Sequence, residues 1–405
     1  MTDNSPLKGL RVLELASVLA GPSIGMFFAE LGAEVIKVEN VTTNGDVTRK
    51  WKLPKEDPDT DISGYFSSVN WGKESFAVNL VEKEGLQLIY DLAAKSDIIL
   101  VSYKPGDAEK LLVDYSRIKE YNKSVIYAHI TGYGIHNSRA GFDAIIQAES
   151  GFTYMNGEPT GPPVKMPVAL MDVLAAHQLK EAILIALLSR ERTGEGQYIE
   201  ASLFKAGVAS LVNQATNWLV GNEIPQRLGS DHPNIVPYGT IFKTADDKEI
   251  VIAAGTDKQF QKLITVLGRP ELANDPKFAK NQNRVVNKAE INGIIQEIIF
   301  KFSREEILSL LSEKRIPAGG VFDMKEVFEI PESRSMILNA DYNDGRSIKG
   351  VRSIAFTSSD NVVENELQPP PHYGEHTKMI LEKYLNIDTQ KIDNLIKKGV
   401  VYARN

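Results

Sequence analysis

Asp172 follows an apolar run, Val168-Ala169-Leu170-Met171, and opens a long helical pattern. A carboxylate in that place can serve two ends. It can stabilise a helix N-terminus by capping and by its charge against the helix dipole. It can also stand as a nucleophile at the mouth of a site. The residue pattern leaves both open. A second suggestive piece is Val18-Leu19-Ala20-Gly21-Pro22, a turn between an apolar strand pattern and a helix. In open parallel sheets, ligands bind beyond the carboxyl ends of strands and near helix N-termini. The turn is not a GxGxxG fingerprint, since only Gly21 and Gly25 are present, so a tight turn without a ligand fits it equally. Cations stand near further turns: Lys73 after Asn70-Trp71-Gly72, Lys104 before Pro105-Gly106, and Arg139 before a helical pattern. Each can meet a phosphate or lie solvated on the surface.

Other chemistries are excluded by what the chain lacks. It has no Cys, hence no disulfide, no thiolate nucleophile and no thiolate metal site. No G-x-S-x-G elbow occurs. Among the six histidines, His372 and His376 are four apart with Glu375 between them. No HExxH is present and PPPHYGEHT begins as a loop, so no metal is expected. With 46 basic against 53 acidic residues the formal charge is −7, which disfavours nonspecific binding of nucleic acid, since that needs a basic face. Apolar runs fall well short of the ~20 residues of a membrane span. The polar stretch Met1 to Lys8 shows no leader pattern, so a cytoplasmic location is expected.

The elements that must position these residues follow from periodicity. Leu10 to Ala16 (LRVLELA) reads as a buried strand, Ser23 to Leu31 as a helix, and Glu34 to Glu39 as a second strand. Strand, helix and strand in thirty residues make a βαβ unit with a parallel pair. Glu82 to Lys95 is a helix, and Asp97 to Tyr103 and Ser124 to Thr131 are near-continuous apolar strands. That pattern indicates a parallel sheet covered on both faces. Residues 44–61 read as a long surface loop. Helices are expected over Phe142 to Ser150 and Asp172 to Arg190, then a strand from Gln197 to Ala201 and a helix through Leu219. A length of 405 residues favours two domains. The Pro- and Gly-punctuated stretch Gly229 to Tyr238 marks a boundary, and residues from about 240 to 325 read as a compact second domain.

In order along the chain stand LELASVLAGP (13–22), LGAEVIKVE (31–39), GDVTR (45–49), NWGK (70–73), ITGYG (130–134), RAGFD (139–143), QAESG (147–151), Asp172, RTGEGQ (192–197), HPNIVPY (232–238) and GEHT (374–377). On these motifs the chain resembles the class III CoA-transferases, the CaiB–BaiF family, along essentially its whole length. The resemblance implies an α/β fold: a large Rossmann-like parallel-sheet domain built from both chain ends, residues 1–225 and 329–405, with a smaller α/β domain, 226–328, inserted. It also implies a homodimer with interlinked chains, and acyl-CoA with a carboxylic acid as substrates rather than a permanently bound cofactor. Asp172 falls at the family's nucleophile, which passes through a mixed anhydride and an aspartyl-CoA thioester. Contacts with CoA are carried to Leu19, Ala20, Lys73, Ser102, Tyr103, Lys104, Lys110, Arg139 and Asp143. The related racemases use a His-Asp pair where this chain has Phe142-Asp143, and a phenyl ring cannot shuttle a proton. The glycine run of formyl and oxalate members is replaced by Gly229-Ser230-Asp231-His232-Pro233. ITGYG and Ile252 to Phe260 look most like members handling succinyl or other short dicarboxylyl groups. Carnitine-type or bile-acid-type acids, an acyl-CoA isomerase, and a silent CoA-binding protein are the alternatives.

Overall fold

The computed structural model describes residues 5–357, 359 and 366–404; Met1 to Asn4, the start of the polar N-terminal stretch, lie outside them. Apolar strands run in the order the sequence gives: β1 (Arg11–Leu15), β2 (Glu34–Asn40), β3 (Glu74–Val78), β4 (Ile98–Val101), β5 (Ile126–Thr131), β6 (Gln197–Ser202) and β7 (Val401–Tyr402). They form one seven-stranded sheet in the order β7-β3-β2-β1-β4-β5-β6. All neighbours are parallel except β7, which runs antiparallel to β3 through Val401–Val78 and Tyr402–Ala77. The order 3-2-1-4-5-6 is that of a doubly wound Rossmann-like sheet. The α/β expectation is met.

Burial explains why these strands carry so little alternation. Val12, Leu13, Ile36, Phe76 and the whole of β4 are closed to solvent, because helices cover both faces. Each such side chain contributes about 1.5–3 kcal/mol relative to exposure. The helices that bear on the site are α1 (Ala20–Glu30), α2 (Lys83–Ala93), α3 (Asp143–Glu149), α4 (Leu170–Thr193) and α5 (Leu203–Ala209). A single helix through Leu219 is expected from the sequence. Two form instead, because Val212 takes φ 45° and breaks the run between α5 and Asn213–Leu219.

The contacts divide the chain into two units. One comprises the chain up to Ser150, Met166–Val220 and the part from Ser335 on; the other comprises Gly151–Lys165 and Gly221–Arg334. In the first, the GEHT segment is stitched to the sheet edge: Gly374 N donates to Ser75 Oγ, His376 N to Ser75 O, and Ala77 N to Thr377 Oγ1. The second unit holds a three-stranded antiparallel sheet of Tyr238–Lys243, Glu249–Ala253 and Ala318–Gly320. Its core gathers Phe242, Ile250, Phe260, Ile295 and Ile307.

Candidate active site

Three strand ends meet the starts of α1, α3 and α4 in a cavity of about 230 Å³. Its wall takes in Val18 to Gly21 after β1, Ser102 to Lys104 after β4, Ile130 to Gly132 at the end of β5, the 139–143 loop and Asp172. β1 and β4 are neighbours, yet the chain leaves β1 toward β2 on one side and returns from β3 to β4 on the other. Such a reversal opens a crevice at the carboxyl ends of the strands, where doubly wound sheets bind ligands. A second cavity of about 410 Å³ shares Ser17 and Tyr103 with the first and runs over the ends of β2 and β3 past Asn40 and Lys50.

Asp172 sits in the first turn of α4, whose N-cap residue, Ala169, offers no side-chain acceptor. The cap comes from another helix. Asp143 Oδ1 accepts the Met171 N–H at 2.8 Å, and its Oδ2 accepts Gln147 Nε2 at 2.8 Å. Gln147 in turn accepts Met166 N at 2.8 Å and so holds the lead-in to α4. Asp143 therefore engages both of its oxygens, whereas Asp172 has no hydrogen-bond or ion-pair partner among the described residues. Burial, and then the charge of Asp143, push the Asp172 carboxyl up to about 7. The helix dipole pulls the other way, but a helix end is worth only about 0.3–1 kcal/mol. A shift of three units is worth about 4, so burial prevails.

The loop carrying Asp143 is brought in by a backbone contact. A Cβ on Gly141 would lie 2.2 Å from the Gly132 Cα, so the RAGFD loop lies directly on the end of β5. This crossing is the physical content of the ITGYG and RAGFD motifs. Phe142, 67% exposed, also lines the cavity, and no imidazole stands in its place. Near by, Tyr65 has its phenol pushed up by burial and then by the charges of Asp172, Asp143 and Asp46, and its ring meets Trp51 edge-on at 5.0 Å. The sequence reading missed Tyr65, which sits in the stretch after the 44–61 loop with no motif around it.

A family model described as CoA-transferase family III matches residues 7–377. The chain belongs to CoA-transferase family III. A succinate–glutarate CoA-transferase of Agrobacterium fabrum is 36% identical over 95% of this chain and 96% of its own length. A human succinyl-CoA:glutarate CoA-transferase is 35% identical over 99% of this chain and 91% of its own. Among solved structures, a CAIB/BAIF family protein from Brucella suis superposes with a TM-score of 0.83 at 36% identity, over 94% of this chain and 99% of that one.

In this family III CoA-transferase the residues expected from sequence fall into two groups. Leu19, Ala20, Ser102, Tyr103, Lys104, Arg139, Asp143 and Asp172 all line the one cavity. Lys104 and Arg139 are exposed cations on its wall; Arg139 stacks over Tyr133 at 4.4 Å and meets Glu149 at 2.5 Å. Lys73 and Lys110 are not brought there. The expected contact of Lys73 with CoA gives way to burial: its ammonium has no exposure and donates to Glu14 Oε2 at 2.8 Å, Pro22 O at 2.8 Å and Asn70 Oδ1 at 2.9 Å. Burial brings it down to about 8. Lys110, its side chain 76% exposed, points to Asp107 at 2.8 Å and lies outside the lining of both cavities. His372 and His376 serve separate partners, Asp61 and the Ser75 N–H.

Proposed function

We propose that the protein moves CoA from a short dicarboxylyl-CoA, of the succinyl type, to an acceptor carboxylate through covalent intermediates on Asp172. The observation that carries the reading is the division of labour between two carboxylates in one cavity: Asp143 is engaged on both oxygens and Asp172 is free on both. A carboxylate out of bulk water and held against a thioester gains effective concentration. Its attack on the donor carbonyl expels CoA thiolate and leaves a mixed anhydride. The thiolate then attacks the Asp172 carbonyl carbon, giving the aspartyl-CoA thioester and the free donor acid. An acceptor carboxylate attacks that thioester, and the released thiolate takes the acceptor acyl group and restores Asp172. Each step exchanges one anion for another, so no general base is needed.

Oxyanions at the tetrahedral stages need fixed donors. The first N–H groups of α1, at Leu19, Ala20 and Gly21, have no acceptor among the described residues and stand in the cavity wall. In this reading the cavity over β2 and β3 takes the nucleotide end of CoA, with Lys50 and Lys104 on the walls as phosphate partners. The names of the relatives favour short dicarboxylates, whose second carboxylate would meet Arg139 or Lys104. Phe142 stands against the isomerase alternative. The reading extends to a homodimer in the cytoplasm; α4 exposes Ile185 and Leu188, and the separate helix Asn213–Leu219 exposes Trp218 and Leu219.

The experiment is to incubate the protein with succinyl-CoA, trap with hydroxylamine and map the modified residue by mass spectrometry. Transfer to glutarate and other acids is followed in the same sample. A hydroxamate on Asp172 together with transfer supports the mechanism. No mark on Asp172 with succinyl-, acetyl- or butyryl-CoA refutes it.

A further inference from the structure

The bend between β1 and α1 is made by a residue that a bend would not select. Val18 holds φ at 73°, in the left-handed region where a β-branched side chain crowds its own backbone. Glycine would take that conformation freely. A valine keeps it only where the surroundings over-determine it.

Here they do. The Val18 N–H donates to Asp46 Oδ2 at 3.3 Å. That same oxygen lies 3.0 Å from Lys37 Nζ, while Asp46 Oδ1 is held by Thr48 N at 3.0 Å and Thr48 Oγ1 at 2.8 Å. Lys37 reaches on to Ala16 O at 3.0 Å and to Glu14 Oε1 at 3.2 Å. From the other side of Glu14, Lys73 reaches Pro22 O. Two ammoniums thus fix one carbonyl on each flank of Val18, and Asp46 fixes its N–H. The four charged side chains are no more than 1% exposed. Gly25 makes the room, since a Cβ there would lie 1.9 Å from Glu14 Oε2. This is a costly structure for a mere turn. Burying ions is unfavourable unless every partner is met, and a strained residue sits at its apex beside Asp172.

We propose that Val18 and Asp46 are positioning residues: the buried chain Lys73–Glu14–Lys37–Asp46 forces Val18 left-handed, and that bend aims the free N–H groups of Leu19, Ala20 and Gly21 into the cavity of Asp172. The role rests on the transferase reading above. Donors displaced by 1 Å lose most of their effect on a developing oxyanion, on the order of 100-fold in rate.

Steady-state CoA transfer by purified full-length variants tests it, with thermal midpoints measured alongside. Asp46→Ala is expected to lower kcat at least tenfold with KM for the donor within threefold. Adding Val18→Gly to Asp46→Ala recovers most of that loss, because glycine needs no anchor to hold φ at 73°. A merely structural Asp46 would not be rescued in kcat by a change at residue 18. Val18→Pro, which leaves the ion network whole, fixes φ near −65° and removes the N–H. It is expected to lose kcat to the same degree and, since proline fits neither the φ nor the bonded N–H, to lower the thermal midpoint by a few degrees while staying folded; it decides the matter if Asp46→Ala does not fold. Wild-type kcat in folded Val18→Pro, or a defect in folded Asp46→Ala that Val18→Gly leaves untouched, overturns the role. A wild-type protein that neither transfers CoA nor is marked on Asp172 overturns the transferase reading and this role with it.

Discussion

Replacing Asp172 by Asn removes a reacting carboxylate, and it also removes a charge that the fold holds against its preference. Burial and Asp143 raise the Asp172 carboxyl from 3.8 to about 7. In the unfolded chain the same group ionises near pH 4. Between about pH 4 and pH 7 the folded state therefore keeps a proton that the unfolded state has lost, and stability falls as pH rises through that window. Three units correspond to about 4 kcal/mol. Water in the open cavity screens the half-buried group and brings this to about 2 kcal/mol. An amide is neutral at every pH and imitates the protonated acid. Asp172→Asn is accordingly expected to be about 2 kcal/mol more stable than wild type at pH 8, a rise in midpoint of about 2–4 °C, with transfer abolished. Thermal unfolding of both proteins at pH 5, 6.5 and 8, at one protein concentration, measures this. At about 1.4 kcal/mol per unit a 2 kcal/mol gap answers to about 1.5 units, so it should shrink by about a third toward pH 5. A wild type as stable as the variant at pH 8, or a gap independent of pH, would refute the reasoning.

Three further outcomes follow from the same geometry. If Asp172 reacts as the carboxylate, kcat/KM climbs with pH through about 7; Asp143→Asn removes the neighbouring charge and moves that limb to lower pH, though burial keeps it above 3.8, and an unmoved limb in a pH–rate profile counts against the pairing. Lys73→Ala leaves Glu14 buried with Lys37 as its remaining cation and should cost about 3–5 kcal/mol in denaturant unfolding. Lys104→Ala should leave unfolding unchanged and raise KM for acyl-CoA several-fold; an unchanged KM counts against Lys104 as a CoA contact.

Much of the frame was legible because its signals are local. Arg11–Leu15, Ile98–Val101 and Ile126–Thr131 lie inside apolar runs that a covered parallel strand requires. Asp172 and the turn at Val18 to Pro22 could be marked as places where chemistry belongs. What was not legible depends on partners far away in the chain. Lys73 looks like any cation after a Gly turn, and its partner Glu14 is 59 residues upstream. The one local hint was a carboxylate within LRVLELA, a charge in the middle of a buried strand. β3 was missed because Glu74 and Ser75 leave only Phe76 to Val78 as an apolar run, and β7 has two residues. The Gly- and Pro-rich run from Gly157 to Pro163 reads as a loop, and nothing in it says that Gly151–Lys165 packs with the second unit.

The edge pairing of β7 with β3 also has a meaning for the order in which the protein is made. Gly221–Arg334 supplies nearly all of the second unit, so that core is complete in sequence once residue 334 has been synthesised. The large unit is not: the free side of Glu74–Val78 waits for Gly374 to Thr377 and then for Val401–Tyr402, more than 320 residues later. Contacts of such separation form slowly. Throughout that interval a nascent chain carries an open parallel-sheet edge of Ser75, Phe76, Ala77 and Val78, a template for pairing with another copy. Synthesis that stalls after residue 334 should therefore yield aggregates nucleated on β3, with the small unit folded within them.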